Sequence, residues 1–236
     1  MDTVICSNPL KINLTDNRLE VDGKSHSSSV RTIAQMQDVL LNQELPTQEP
    51  LYYMYRSVAQ LEDLRYDITL ILPKILSDEY AKTYGHYHPK AQDGLAYPEV
   101  YQVISGEAKF LLQKKNNDGS VHVIIATAKK GDCIVFPPSY GHVTINSSEK
   151  DPLLLANIVY ANFESDYSEY KKLRGGAIYY TKHGVVQNTN YVVKNIEYLT
   201  VKELNNRYGF LSHDLLQDLF KNPKKFEFLK MPSLKF

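Results

Sequence analysis

Between Leu51 and Tyr160 the chain repeats one texture: short blocks rich in Val, Ile, Leu, Tyr and Thr, such as "LYYMYRSV", "ITLILP", "AKFLLQ" and "LLLANIVY", broken by the polar clusters "NNDG", "KKGD" and "SSEKDP". Apolar blocks of this length between turn-forming clusters predict strands. They fall at Ile68 to Leu72, Tyr84 to His88, Val100 to Ile104, Ala108 to Gln113, Val121 to Ala126, Ile134 to Phe136, Val143 to Ile145 and Leu153 to Tyr160. No helical pattern separates them, so the fold class is mainly β, an antiparallel sandwich or small barrel rather than a parallel sheet. The ends of the chain read differently. "SSSVRTIAQMQDVLLNQ" sets Val30, Ile33, Met36, Val39 and Leu40 at helical spacing behind serine caps and predicts a short N-terminal helix. "TVKELNNRYG" carries a Thr200/Glu203 capping box, and "SHDLLQDLFKNP" starts on Ser212 and stops before Pro223, which predicts two C-terminal helices. Residues 1–190 are therefore expected to form the catalytic β unit. Residues 191–236 are expected to form a small helical extension packed on it or on a partner subunit, with "KKFEFLKMPSLKF" a docking arm or a frayed end.

Charge narrows the classes of partner. Lys and Arg total 27 against 27 Asp and Glu, so no global field favours nucleic acid or an anionic membrane surface. Two cysteines, Cys6 and Cys133, make no disulfide framework. The N-terminus lacks a basic start followed by an apolar core, and the apolar runs are too short to span a bilayer. These features predict a soluble, cytoplasmic protein. No internal repeat is evident, so one site per chain is expected.

The candidate chemistry lies in "KTYGHYHPKAQDGLAYPEVYQV" and "FPPSYGHVTIN". Side chains two apart on a strand share a face, which would aim His86 and His88 the same way. With Glu99 and His142 they supply three imidazoles and a carboxylate, donors that suit one divalent first-row ion. Non-haem iron(II) fits, and manganese(II), nickel(II) and zinc(II) accept the same set. Alternation carries Tyr101 to the face of Glu99, and groups His142 with Thr144 and Asn146. His26, His122, His183 and His213 are read as ordinary surface or core histidines.

These segments resemble the cupins, whose motifs run G-x-x-x-x-H-x-H then Glu, and P-x-G then P-x-x-x-x-H-x-x-x-N. The sequence is more closely similar to the cupin-type, archaeal-type glucose-6-phosphate isomerase family. The likeness runs in order through "SVRTIAQMQDVL", "LYYMYR", "ITLILP", "KTYGHYH", "EVYQVISGEAKFLLQ", "VFPPSYGHVTIN" and "NIVYANFESDYSEY", covering about residues 27–182. The resemblance implies a cupin-type barrel or jelly roll that interconverts glucose 6-phosphate and fructose 6-phosphate, in glycolysis and gluconeogenesis. It implies a metal on His86, His88, Glu99 and His142, and catalysis by Glu99, Tyr101 and His142, with Glu99 as proton shuttle or as a positioning ligand for a hydride shift. The phosphosugar is implied to meet Tyr52, Thr69, Thr83, Gly85, Tyr101 and Tyr160, and the chain to pair as a homodimer.

Two features depart from that family. Ten residues, "PKAQDGLAYP", separate His88 from Glu99, where the family has fewer, and Ser165 stands where the family has a histidine ahead of "DY". Ring opening is then left to water, Tyr97 or His142. An iron-dependent cupin dioxygenase and a non-catalytic sugar-phosphate-binding cupin are competing readings, separable by oxygen uptake or by binding without turnover. A phosphomannose isomerase would be separated by assay with mannose 6-phosphate.

Overall fold

The strand "LLLANIVY" is buried on both faces along nearly its whole length, and the architecture follows from how each face is covered. In the computed structural model, which describes residues 2–45 and 47–236, ten strands carry the central structure. They are β1 (Ser29–Thr32), β2 (Pro50–Leu61), β3 (Leu64–Ile71), β4 (Glu99–Ser105), β5 (Glu107–Lys115), β6 (Val121–Lys129), β7 (Cys133–Phe136), β8 (Gly141–Asn146), β9 (Leu153–Tyr160) and β10 (Val193–Thr200). One sheet has the order β7-β4-β9-β3-β2-β1 and the other β8-β5-β6-β10, antiparallel throughout except for the β6–β10 pair. The two face each other as in a jelly roll: Tyr101 and Phe136 of the first meet Phe110 and His142 of the second at ring separations between 4.9 and 6.0 Å.

Each apolar face of the six-stranded sheet has its own cover. Tyr101, Val103, Leu153 and Leu155 look inward onto the second sheet. Val100, Leu154, Ala156 and Ile158 look outward and pack against Ile12, Leu14 and Leu19 of an N-terminal meander and against Leu215, Leu216, Leu219, Phe226 and Phe228 near the C-terminus. This is why β9 reads as a continuous apolar run rather than an alternating one. The meander (Asp2–Cys6, Ile12–Thr15, Arg18–Val21, Lys24–His26) is too polar to announce itself as strands.

Most of the expected elements are present, with shifted ends. The N-terminal helix is a single turn, α1 (Ile33–Met36), closed by a Thr32/Gln35 capping box, and "SVRT" before it pairs with β2 instead. A strand uses an alternation that the helical spacing of Val30 masked, and Val30 is exposed. A short helix, α2 (Ser168–Lys172), follows β9, and at the other end β10 joins the second sheet, so the C-terminal helical part begins only at α3 (Val201–Tyr208), capped by Thr200 and Glu203. Asp214 rather than Ser212 caps α4 (Leu215–Lys221). The side chain of Asn205 on α3 donates to the Cys133 carbonyl at 2.6 Å and accepts from Val135 N at 3.2 Å, satisfying the open edge of β7. Phe226, Phe228 and Leu229 are buried, so the last segment is a docked arm.

Candidate active site

Glu99, at the start of β4, points between the sheets, and β9 places Asn157 beside it: Asn157 Nδ2 donates to Glu99 Oε1 at 2.7 Å. His142 reaches the same point from β8, with Nε2 3.2 Å from Glu99 Oε2. His86 and His88 arrive on a segment that differs from expectation, because residues 84–88 form no regular strand and make only single bridges, His86 to His142 and Tyr87 to Asp166. The cause is Gly85, whose φ of +84° turns the chain. A Cβ there would lie 2.5 Å from the Tyr170 ring and 2.7 Å from Val143 Cγ2. The two imidazoles still converge, with Nε2 atoms 3.1 Å apart.

His86, His88, Glu99 and His142 each offer a donor atom, and all four atoms lie within 4.8 Å of one another. Glu99 Oε2 and His142 Nε2 are buried without any hydrogen-bond partner, a costly state for a protein to keep for no purpose. The Tyr97 carbonyl accepts from His88 Nδ1 at 2.9 Å, so the lone pair of His88 is on Nε2, facing the cluster. Burial first, and then His142, His88 and Arg56 nearby, hold His86 well below the usual imidazole range. Burial also pushes His88 down to about 4, against the opposing pull of Glu99. For Glu99 burial acts upward, but the adjoining His142 and the charges of His88 and Arg56 prevail and hold the carboxyl below its ordinary value. Neutral His86 and His88, the latter with its lone pair turned inward, beside an ionised carboxylate fit a divalent cation.

A pH dependence follows for the metal-stripped protein. His88 binds a proton below about pH 6.5 when unfolded, but only below about 4 when folded. Between these values the unfolded chain holds more protons, so the unfolding free energy falls as pH drops from 6.5 towards 4, by about 3 kcal/mol for this residue alone. Urea midpoints at pH 7 and pH 4.5 check it, and equal midpoints contradict the assignment.

The pocket over this cluster brings together most of the residues singled out in the sequence: Tyr52, Thr69, Thr83, Gly85 and Tyr101 line it with the four candidate ligands. Tyr160 does not. Its neighbour Val159 lines the pocket, whereas the Tyr160 ring lies 4.9 Å from that of Tyr97, tilted by 32°. Thr144 is buried, with its backbone N–H donating to Thr83 Oγ1 at 2.9 Å, while Asn146 bonds the Ile71 and Asp151 carbonyls. Burial, and then the Glu99 carboxylate, raise Tyr101 well above the ordinary phenol value, so it is a neutral donor at pH 7. Outside the pocket, His122 pairs with Glu197 and His26 bonds the Arg56 carbonyl.

Sequence reasoning missed several residues here. Phe163 lies 4.6 Å from the His88 ring and stacks within 6° on Tyr97. Phe163, backed by Tyr97 of the ten-residue loop, therefore covers one side of the His88 ring. The C-terminal arm braces that loop, since Ser233 N donates to Asp93 Oδ2 at 2.7 Å. Asn157 carried a signal, as a lone amide inside an apolar run. Arg56, Arg65 and Asp67 carried only strand alternation, with nothing to mark them as a group.

An antiparallel jelly roll whose inner faces aim three imidazoles and a carboxylate at one buried point has the layout of the cupin class, with His86, His88, Glu99 and His142 as a group that could hold a metal ion. The family described as Glucose-6-phosphate isomerase (GPI) matches residues 30–197, and the chain belongs to that family. Curated relatives named glucose-6-phosphate isomerase include that of Thermococcus onnurineus, 28% identical over 132 residues, which are 55% of this chain and 65% of the relative. That of Thermococcus litoralis is 29% identical over 54% of this chain and 67% of its own length, and that of Pyrococcus furiosus 26% identical over 59% and 73%. Among solved structures, an oxalate oxidase aligns with a TM-score of 0.38 at 11% identity over 50% of this chain and 55% of its own. The cupin domain of an XRE-family transcriptional regulator from Enterobacter cloacae aligns with a TM-score of 0.31 at 17% identity over 46% and 94%.

Proposed function

We propose that the chain interconverts glucose 6-phosphate and fructose 6-phosphate, with one divalent ion per chain held by His86, His88, Glu99 and His142. The observation that carries this reading is the donor cluster at the base of a pocket, with Glu99 Oε2 and His142 Nε2 buried and without hydrogen bonds, in a chain of this family. Iron(II) is the ion we favour from the donor set, and manganese(II), nickel(II) and zinc(II) are the alternatives. When bound, the ion would polarise the sugar carbonyl and its neighbouring hydroxyl as a Lewis acid.

The side chains do the rest. Aldose and ketose differ by one hydrogen on carbon, at C1 or C2, and one on oxygen, at O1 or O2, and on the proton-transfer route a base takes a proton from one carbon and returns it to the other. Glu99 is that base: it is ionised at neutral pH, Asn157 fixes one oxygen, and the other, 3.2 Å from His142 Nε2, makes no hydrogen bond. The neutral Tyr101 hydroxyl and His142 flank it and complete the catalytic set. Tyr52, Thr69, Thr83 and Gly85 line the wall that would hold the sugar phosphate. Thr83 Oγ1 already accepts from Thr144 N, which leaves its own hydrogen to donate. Ser165 lines the same pocket but is a poor acid, so water or His142 opens the ring. We also assign the protein to the cytoplasm, in glycolysis and gluconeogenesis, as a homodimer. No helix among the described residues is long and apolar enough to cross a membrane, which agrees with the first of these.

The test is a coupled assay of the metal-stripped protein with fructose 6-phosphate, reconstituted with each of the four ions in turn. Turnover restored by an ion is the expected result. Full metal occupancy without turnover would overturn the reading, and oxygen uptake in its place would point to a dioxygenase.

A further inference from the structure

The pocket wall carries two guanidinium groups that are not among the candidate metal ligands. Arg56 on β2 and Arg65 on β3 both line the pocket, and both donate to the same atom, Asp67 Oδ2, at 2.8 and 2.9 Å. Asp67 is buried, and its other oxygen accepts the Ser57 N–H at 2.7 Å. That second bond pins a bulge in β2: Ser57 has a φ of +54°, and the pairing register with β3 shifts between Tyr55 and Ala59. Bulges re-aim side chains, and this one carries Arg56 towards the pocket.

The charges do not cancel. One carboxylate faces two guanidiniums, leaving a net positive charge in the wall. Arg65 spends only Nε, and among the described residues its terminal nitrogens have no protein partner. Arg56 Nη2 has only a weak contact with Met54 Sδ, at 3.6 Å. Met54 pairs directly with Thr69, so the Arg56 head sits next to the hydroxyl cradle of Thr69 and Thr83. That cradle is neutral, whereas a phosphate monoester is a dianion near pH 7. Two planar forks fixed by a shared buried carboxylate are built for such a group, since a guanidinium presents paired N–H donors to phosphate oxygens. A purely structural ion network would have no need to leave the terminal nitrogens of Arg65 open to the pocket.

We propose that Arg56 and Arg65, aimed by Asp67, form the cationic half of the phosphate subsite and set the preference of the pocket for a phosphorylated sugar. Arg56 and Arg65 bind, whereas Asp67 is a positioning residue. The assignment rests on the isomerase reading for the identity of the sugar, but not for the anion chemistry, and the experiment separates the two.

The metal-loaded, full-length wild type is compared with Arg56→Ala, Arg65→Ala and the corresponding lysine variants. With fructose 6-phosphate we expect KM to rise about 10- to 100-fold in each alanine variant, with kcat changed by no more than a few-fold and metal content unchanged. Lysine should restore only part, because it keeps the charge and loses the fork. Titration with inorganic phosphate, followed by calorimetry, reads the subsite whatever the reaction: binding weakened in the alanine variants supports it. Unchanged phosphate affinity in folded variants overturns the subsite, as does a fall in kcat with KM intact. A wild type that binds phosphate through these arginines but never turns over fructose 6-phosphate leaves the subsite standing and removes the isomerase reading instead.

Discussion

If the chain is the metal-dependent isomerase proposed above, replacing His86 and His88 together with alanine should abolish the isomerisation of fructose 6-phosphate, by at least ~10³-fold, and remove the capacity to hold a divalent ion while leaving the fold intact. The expectation comes from the geometry of the four donors. His86 and His88 supply two of them, from one short segment, and the remaining pair, Glu99 and His142, spans only one side of the cluster. Two donors hold a divalent ion far more weakly than four, and the carbonyl of the substrate is then left without its electrophile. The fold should survive because neither imidazole supports the core: each bridge of residues 84–88 is made by backbone, between His86 and His142 and between Tyr87 and Asp166. The variant also removes two buried groups that resist protonation. Its metal-free form should therefore unfold at a urea concentration no lower than that of metal-free wild type at pH 7, and it should lose much of the destabilisation between pH 6.5 and 4. Metal analysis, the coupled assay and urea titration read all three effects. Full metal retention by the double variant would exclude this donor set.

How much of this was legible in the sequence depended on whether a signal was local. The strands from Leu64 to Tyr160 announce themselves because each sits between turn clusters and is covered by a sheet or by helices, which makes its apolar content high. The ligand quartet was legible for the same reason: His86 and His88 lie two apart, and Glu99 heads an alternating strand. The N-terminal meander was not, because among its described residues only Ile12, Leu14 and Leu19 are buried and most of the others are polar. The arginine pair was invisible because its meaning is non-local. Arg56 and Arg65 are nine positions apart on adjacent antiparallel strands, and only the hairpin register with the bulge at Ser57 brings them to one carboxylate. Tyr160 failed in the opposite sense. The segment match suggested a pocket residue, while on the strand its neighbour Val159 lines the pocket and the Tyr160 ring lies beside that of Tyr97.

The role of Glu99 is decided by a change that keeps its shape. In Glu99→Gln the amide carbonyl can still accept from Asn157 Nδ2, now at 2.7 Å from Oε1, so the side chain should stay in place. Two properties are lost. The atom in the position of Oε2 becomes an N–H donor facing His142 Nε2 at 3.2 Å and His88 Nε2 at 3.5 Å, which weakens the hold on the metal. The group also ceases to accept a proton. The first loss is corrected by excess metal and the second is not, so measurement at saturating metal isolates the second. If Glu99 moves the proton between C1 and C2, kcat stays about 10²- to 10⁴-fold below wild type under those conditions, the range for loss of a general base. Wild-type turnover in heavy water should then place deuterium in the product, because a proton resting on a carboxylate exchanges with solvent before it is returned. A hydride passed directly between the carbons never visits Glu99. In that case the substitution costs metal affinity alone, saturating metal restores near-normal kcat, and no deuterium enters from solvent. Both measurements must agree for the shuttle to stand: slow turnover without solvent deuterium would leave Glu99 essential for holding the substrate and metal geometry, and would take the proton transfer away from it.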